Sequence, residues 1–388
     1  MKREDYRYAV VGGGMQGCAA GYDLLKHGGG RSVVFLDRDG GAAKRAAARV
    51  NKLLGGRRAT ACTLDAGDVA AMTEAFTGLD GVLSAAPYGL NPGIARAAVW
   101  AGASMNDLGG NTEVVRETLR LDAEARRRGV SVVPDCGLAP GLGNTLAAYL
   151  AATTPGLRRI AVRCGGLPET PRPPLGYKLV FNIGGLTNEY TGEAEFLRNG
   201  KLVRVKTLTE LETLKVAGVG VLEAAVTSGG TSLAPETFRG VVRDYDYKTL
   251  RYPGHWSQIA TIRDLGLLDL APIEIDGRPV VPREVFHRVA APKLAFPQDR
   301  DLVVLRVTGT AGSTRHPVTR TLQMIDRHDP ATGFTAMERT TAFAAAAVLH
   351  FQVMGAVPPG ATTPERNLPF ADYLAAVRKR GLKIRAVR

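Results

Sequence analysis

The sequence predicts an α/β protein in which a doubly wound parallel sheet carries an inserted α+β domain with a mixed sheet. Three observations lead there. Short apolar runs alternate with helical patterns through the first third of the chain. A triple-glycine corner follows the first of those runs. Beyond about residue 155 the alternation gives way to longer strand-like segments and then to an alanine-rich stretch.

Residues 8–12 read as a buried strand and 14–27 as a helix. A second strand covers 31–37, and "GAAKRAAARVNKLL" (41–54) is a strong helix former. A third strand over 59–65 leads to a helix over 69–76, and "GVLSAA" (81–86) is the fourth strand. The helix at 91–102 opens on Asn-Pro, which suits a helix start. Short strands at 103–109 and 130–136 flank one long helix, "TEVVRETLRLDAEARRR" (112–128). Later, "RRIAVRCGGLP" (158–168) is strand-like, and "LGYKLVFNIGGLTNEYT" (175–191) alternates before ending in turn residues. "DLVVLRVTGTAG" (301–312) and "TRTLQMIDRHD" (319–329) predict an antiparallel pair. The segment 338–354 reads as a long buried helix that packs back on the first domain. The division expected is 1–145, 146–336 and 337–388.

At 388 residues the chain exceeds what one core usually supports. It is 45% apolar and 22% charged, and its 46 glycines imply many tight turns. No apolar run approaches the roughly 18 residues of a membrane span. The start "MKREDYRYAVV" is charged and has no signal-peptide core, so a cytoplasmic protein is expected. The net charge of +13 raises the question of nucleic acid, but the basic residues are dispersed. The runs "RRRG" (126–129) and "RKRG" (378–381) sit at helix ends, where cations suit the dipole, and no aromatics interleave them. The partner expected is a small anionic or zwitterionic molecule, with neither nucleic acid nor membrane. Cys18, Cys62, Cys136 and Cys164 form no metal-binding pattern and read as reduced, mostly buried thiols.

Gly12, Gly14 and Gly17 fit G-x-G-x-x-G between a strand and a helix. The first glycine permits the turn, the second lets backbone approach a pyrophosphate, and the third lets helix and strand pack closely. The helix start at Met15 and Gln16 offers free N–H groups to phosphate. Asp37 stands twenty residues beyond Gly17, at the end of the second strand, where a carboxylate accepts from a ribose diol and repels a 2′-phosphate. This predicts a Rossmann domain for NAD rather than NADP, although Arg38 beside it can meet a phosphate or stack on adenine. Other strand ends point into the same cleft: Asp65 and Ala66 toward the adenine; Ala85, Ala86 and Pro87 toward the nicotinamide ribose; and Asp107, Asp135 and Cys136 beyond them.

The segment "VVPDCGLAPGLGNTLAAYL" (132–150) resembles the saccharopine dehydrogenase/reductase family, with Asp135, Gly137, Pro140 and Gly141 matching its D-x-G-x-x-P-G turn. "PPLGYKLVFNIGGLTNEYT" (173–191), "LEAAVTSGGTSL" (222–233), "YKTLRYPGH" (247–255) and "MERTTAF" (337–343) are similar to its lysine 6-dehydrogenase (lysine ε-dehydrogenase) branch. The resemblance implies a homodimer or higher oligomer, and oxidation of the lysine side-chain amine with NAD. The semialdehyde produced closes to piperideine-6-carboxylate. The substrate amine must be neutral to release hydride, so the site must desolvate it or supply a base.

Candidates come from the matching blocks. Asp135 and Asp107 bind the amine or relay a proton, or else cap turn amides. Lys178 is a base if buried. His255 is a base for water attack, having a pKa near neutrality. Arg251 suits the α-carboxylate through its planar fork. Tyr177, Thr231 and Ser232 contact substrate, and Tyr88 walls the nicotinamide pocket. Two alternatives stay open. An imine reductase of the saccharopine or carboxynorspermidine type would join an aldehyde and an amino acid, its extra carboxylates needing further cations such as Lys178. A non-catalytic protein would sense NAD redox state.

Overall fold

A computed structural model describes residues 5–313 and 315–387; the outermost residues of the first and last expected domains, 1–4 and 388, lie outside them. Two sheets organise the chain. The first is built from β1 (Tyr6–Val11), α1 (Met15–His27), β2 (Gly30–Asp37), α2 (Gly40–Leu54), β3 (Ala59–Thr63), α3 (Val69–Phe76), β4 (Gly81–Ser84), α4 (Asn91–Ala101), β5 (Ser104–Asp107), α5 (Thr112–Leu119), α6 (Asp122–Arg128) and β6 (Ser131–Val133). Its strands run in the order β6-β5-β4-β1-β2-β3, all parallel, and Gly360–Ala361 pairs beyond β6. The order reverses between β1 and β4, so their carboxyl ends open the crevice where ligands bind in such sheets. Asn111 caps α5, and the single helix expected over 112–128 is two, broken at Arg120–Leu121.

The second sheet follows α7 (Gly143–Thr153). It contains β7 (Leu157–Pro168), then α8 (Ile183–Glu189), β8 (Glu193–Arg198), β9 (Lys201–Lys206), β10 (Glu212–Val216), β11 (Gly220–Ala225), α9 (Ala234–Phe238) and β12 (Asp244–Arg251). After α10 (His255–Asp264), a small hairpin of β13 (Ile273–Ile275) and β14 (Arg278–Val280), and α11 (Pro282–Leu294), the long strands β15 (Asp301–Gly312) and β16 (Pro317–Arg327) complete it. β7 and β12 are parallel, whereas β15 pairs antiparallel with both β7 and β16, so the sheet is mixed as expected. The alternating look of 175–191 resolves differently. Residues 175–182 are irregular, and Asn182 accepts from Gly184 N to start α8.

The C-terminal segment returns to the first sheet. Helix α12 (Ala336–Val353) is buried along most of its length, and Ala342 to Ala347 are all buried. Its start is tied down twice. Thr335 and Glu338 form a capping box, and Asp301 at the head of β15 accepts from Ala336 N (2.8 Å) and Met337 N (2.9 Å). Its body is bonded into the parallel sheet, with Asn106 donating to Ala345 O (2.7 Å) and Gln352 donating to Met105 O (2.9 Å). The short β17 (Gly360–Ala361), α13 (Pro364–Asn367), α14 (Phe370–Lys379) and β18 (Arg385–Val387) follow.

The basic runs part company. Arg126, Arg127 and Arg128 are exposed partners of Asp122 and Glu124, but Arg380 is buried against Asp23 at 2.7 Å. Sequence position suggested a solvated helix end for both; a buried carboxylate on α1 claims the second. All four cysteines are free, and Cys62 alone among them is exposed.

Candidate active site

The corner after β1 is shaped by close backbone approach. Gly12 has φ +103°, and its N–H donates to Leu36 O at 2.7 Å. A Cβ there would lie 2.8 Å from Ala85 O, and one on Gly17 would run into the carbonyl of Gly12. At Gly14 a Cβ would meet nothing within 4 Å, so this glycine fronts open space. Helix α1 begins there without a side-chain cap and without an acidic residue in its first turn, leaving amides aimed at that space. Asp37 accepts from Gly13 N (2.8 Å) and Asp39 N (2.9 Å), which fixes the corner against β2 while free lone pairs remain on the carboxylate. These features fit a dinucleotide: glycine space for the pyrophosphate, amides for its charge, and a carboxylate at the ribose position.

The other cofactor candidates separate. Met15, Arg38, Asp65 and Pro87 are exposed around the corner, and Ala85 and Ala86 are half-buried at the end of β4. Ala66 packs on the apolar core beneath the sheet, and the Asp65 carboxylate accepts from Gly67 N. Cys136 is a correction. It is buried, with its thiol on Val133 O at 3.1 Å, so its side chain has no access to the cleft.

Beside this corner lies a cavity of about 330 Å³, in the range of small-molecule sites. Gln16, Tyr88, Leu108–Gly110 and Leu138–Pro140 line it from the Rossmann side. Cys164–Gly166, Ser228–Gly230, Tyr247, Thr249 and Arg251 line it from the mixed sheet, with Gly185, Asn188 and Glu189 from α8 and Met337 and Thr341 from α12. Among the described residues lining it, Arg251 and Glu189 alone are charged.

Arg251 ends β12 with a side chain only 3% exposed. Its guanidinium lies over the Tyr177 ring (4.8 Å) and the Trp256 ring (5.9 Å), so packing fixes its plane. Glu189 is the last residue of α8, and its Oε2 is 3.6 Å from Arg251 Nη2. Burial pushes the Glu189 carboxyl up to about 7, with Arg251 pulling the other way.

The remaining predicted residues form a support behind the wall. Asp107 accepts from Gly109 N (2.7 Å) and Asp135 N (2.9 Å), and burial raises it to about 6. Asp135 adopts φ +64°, accepts from Ser232 Oγ, and is held well above the usual carboxylate range by burial and then by Asp107. These carboxylates lie behind Gly109 and Gly110; they hold the loop that forms the wall. Tyr88 lines the cavity and is 38% exposed.

Five residues are reassigned. The Lys178 ammonium donates to the carbonyls of Ala295 (3.2 Å) and Phe296 (2.5 Å) and is not part of the cavity wall. His255 is buried with both ring nitrogens engaged, on Leu175 O (3.1 Å) and Tyr190 Oη (3.0 Å). Burial and Arg251 lower it to about 3, so it stays neutral and does not take up a proton near pH 7. Tyr177 carries Arg251 on its face and does not itself line the cavity. Thr231 sits one residue beyond the lining stretch Ser228–Gly230, its carbonyl taken by Asn144 (3.2 Å), while Ser232 serves Asp135.

Sequence reasoning missed Glu189. The available signal was its isolation: between Lys178 and Glu193 it is the one charged residue, in an otherwise apolar and small-residue run.

A parallel sheet with a glycine corner, closed by a mixed-sheet lobe over a cavity at its carboxyl edge, defines a two-lobed dinucleotide-binding protein. Two family models extend this over nearly the whole chain: "Saccharopine dehydrogenase NADP binding domain" matches residues 8–133, and "Saccharopine dehydrogenase C-terminal domain" matches 137–382. The chain belongs to the saccharopine dehydrogenase family. It is 26% identical over 223 residues to the saccharopine dehydrogenase [NADP(+), L-glutamate-forming] of Pyricularia oryzae, covering 55% of this chain and 49% of that protein. To the mitochondrial alpha-aminoadipic semialdehyde synthase of Mus musculus it is 32% identical over 132 residues, 32% of this chain and 14% of that one. The chain thus spans about half the length of the fungal relative and far less of the mouse one. The apo saccharopine dehydrogenase (L-Glu forming) of Saccharomyces cerevisiae shares its fold, with a TM-score of 0.77 at 19% identity over 99% of this chain and 100% of that one. Among the described residues no helix is long and apolar enough to cross a membrane, and no group of residues is arranged to hold a metal.

Proposed function

We propose that the chain oxidises the side-chain amine of L-lysine, or of a close ω-amino acid, with NAD. The semialdehyde formed closes on its own α-amine. The observation that carries this reading is the charge inventory of the cavity: one cation, Arg251, beside one carboxylate, Glu189. A single amino-acid head is matched by that pair. An adduct of two amino acids brings further carboxylates, each needing a partner when buried, and Lys178, the cation expected to serve them, is spent on backbone carbonyls. A bound nicotinamide would supply the hydride acceptor. The apolar wall of Leu108, Leu138, Ala139 and Pro140 disfavours the ammonium form of an amine reaching it and so favours the reactive neutral form. Hydride departure leaves an iminium, water adds to that carbon, and ammonia leaves.

Asp37 supports NAD, because its carboxylate at the end of β2 repels a 2′-phosphate. The family model matching the first domain is named for NADP binding, which is a property of the relatives that define it. The relatives' names favour the other reading, an imine reductase joining an aldehyde to an amino acid. Absorbance at the NADH wavelength separates the two. Growth with lysine and NAD at alkaline pH is expected. Silence across ω-amino acids, with NAD(P)H consumed when aldehyde and amino acid are supplied together, would replace our reading with the second.

A further inference from the structure

We propose that Glu189 and Arg251 form a two-charge clamp for the head of a free α-amino acid, Glu189 accepting from the α-ammonium and Arg251 donating to the α-carboxylate. This rests on the reading of the cavity as the substrate site. It adds the residue that selects a free α-amine.

Both groups line the cavity, and the protein satisfies neither in full: Arg251 Nη1 donates to Leu250 O at 3.0 Å, and one polar atom of each side chain is left over. Their nearest approach, 3.6 Å, is longer than a hydrogen bond, and Glu189 Oε2 and Arg251 Nε are both buried without a hydrogen-bond partner. A buried polar atom left unpaired is costly, so two of opposite sign at one wall need a complementary guest. The pair is not explained by local stability. Glu189 ends α8, where a carboxylate opposes the helix dipole. Arg251 is already held by the rings of Tyr177 and Trp256 and by Leu250 O, and it lines the cavity. An ammonium and a carboxylate on one carbon match two opposite charges at this spacing. A diamine leaves the Arg251 fork unmet, and an N-acylated amino acid cannot donate a charged N–H to Glu189. With the head held here, the side chain runs toward Tyr88 and the Leu138–Pro140 corner, which lies on the opposite, Rossmann side of the cavity.

Calorimetry on the full chain in saturating NADH tests this with L-lysine, L-norleucine, Nα-acetyl-L-lysine and cadaverine. Lysine is expected to bind about tenfold or more tighter than the acetylated compound or the diamine. In Glu189→Gln that preference should shrink to about twofold or less, with NADH affinity unchanged as the check on folding. A Glu189→Gln protein that keeps the full preference for lysine over its Nα-acetyl form overturns the clamp. Tight binding of norleucine without lysine turnover would sink the lysine reading and leave the clamp standing. Failure of the wild type to bind any α-amino acid would sink both.

Discussion

The corner at Gly12–Gly17 and the pocket around Arg251 face one cleft, yet they are built by different means. The corner is made of backbone: a left-handed glycine, a second glycine fronting open space, and helix amides left without a cap. The pocket is assembled from segments far apart in sequence, and its two charged side chains come from β12 and α8. Backbone geometry of the first kind requires glycines at fixed spacing and is therefore written locally. A charged pair such as Glu189 and Arg251 is joined only when the mixed sheet and α8 are assembled. The two should also fail differently when altered.

The largest effect is expected at the corner. Gly12→Ala forces a side chain into φ +103° and to within 2.8 Å of Ala85 O. Strain of about 1–3 kcal/mol would weaken coenzyme binding by about 5- to 150-fold, read by NADH fluorescence titration. Unchanged affinity would mean that the corner does not approach the coenzyme. Next, Asp37→Ser should cost about tenfold in NAD affinity while leaving NADP equal or improved; equal losses for both would misplace the ribose contact.

The pocket should respond to pH. Around Glu189 stand Arg251, which stays charged, and Cys164, Tyr177, Tyr190 and Tyr247, all raised by burial and neutral near pH 7. Glu189 is the group among them that titrates near 7. Its carboxylate is present above that value and is lost as pH falls through it. The ratio of KM for lysine to KM for Nα-acetyl-lysine should therefore rise several-fold from pH 8 to pH 6, toward about tenfold. Glu189→Gln should flatten the ratio. A flat ratio in the wild type would remove Glu189 from substrate recognition.

The parallel sheet was readable because each βα unit carries its own signals: an apolar run, a turn glycine, a cap. The mixed sheet was readable where strands are long, as at β15 and β16, and not where the chain crosses the cavity. Residues 175–182 look alternating but satisfy themselves through tertiary contacts, such as Leu179 N on Leu294 O at 2.8 Å. In the pocket, Arg251 and Tyr88 were identifiable by type and motif. Lys178 and His255 were misread because a titratable residue in a motif looks reactive until its partners are known. Two carbonyls for the first, and a carbonyl and a phenol for the second, leave neither facing the cavity. Those partners lie on loops and helices that no local pattern connects.

The placement of α12 bears on how the chain matures. This alanine-rich helix covers one face of the parallel sheet, bonded to it through Asn106 and Gln352, yet it is synthesised more than two hundred residues after β5. During translation the N-terminal strands emerge with that face bare, and it stays exposed while the whole mixed-sheet lobe is made. A fragment ending before α12 should therefore be aggregation-prone however complete its nucleotide corner looks.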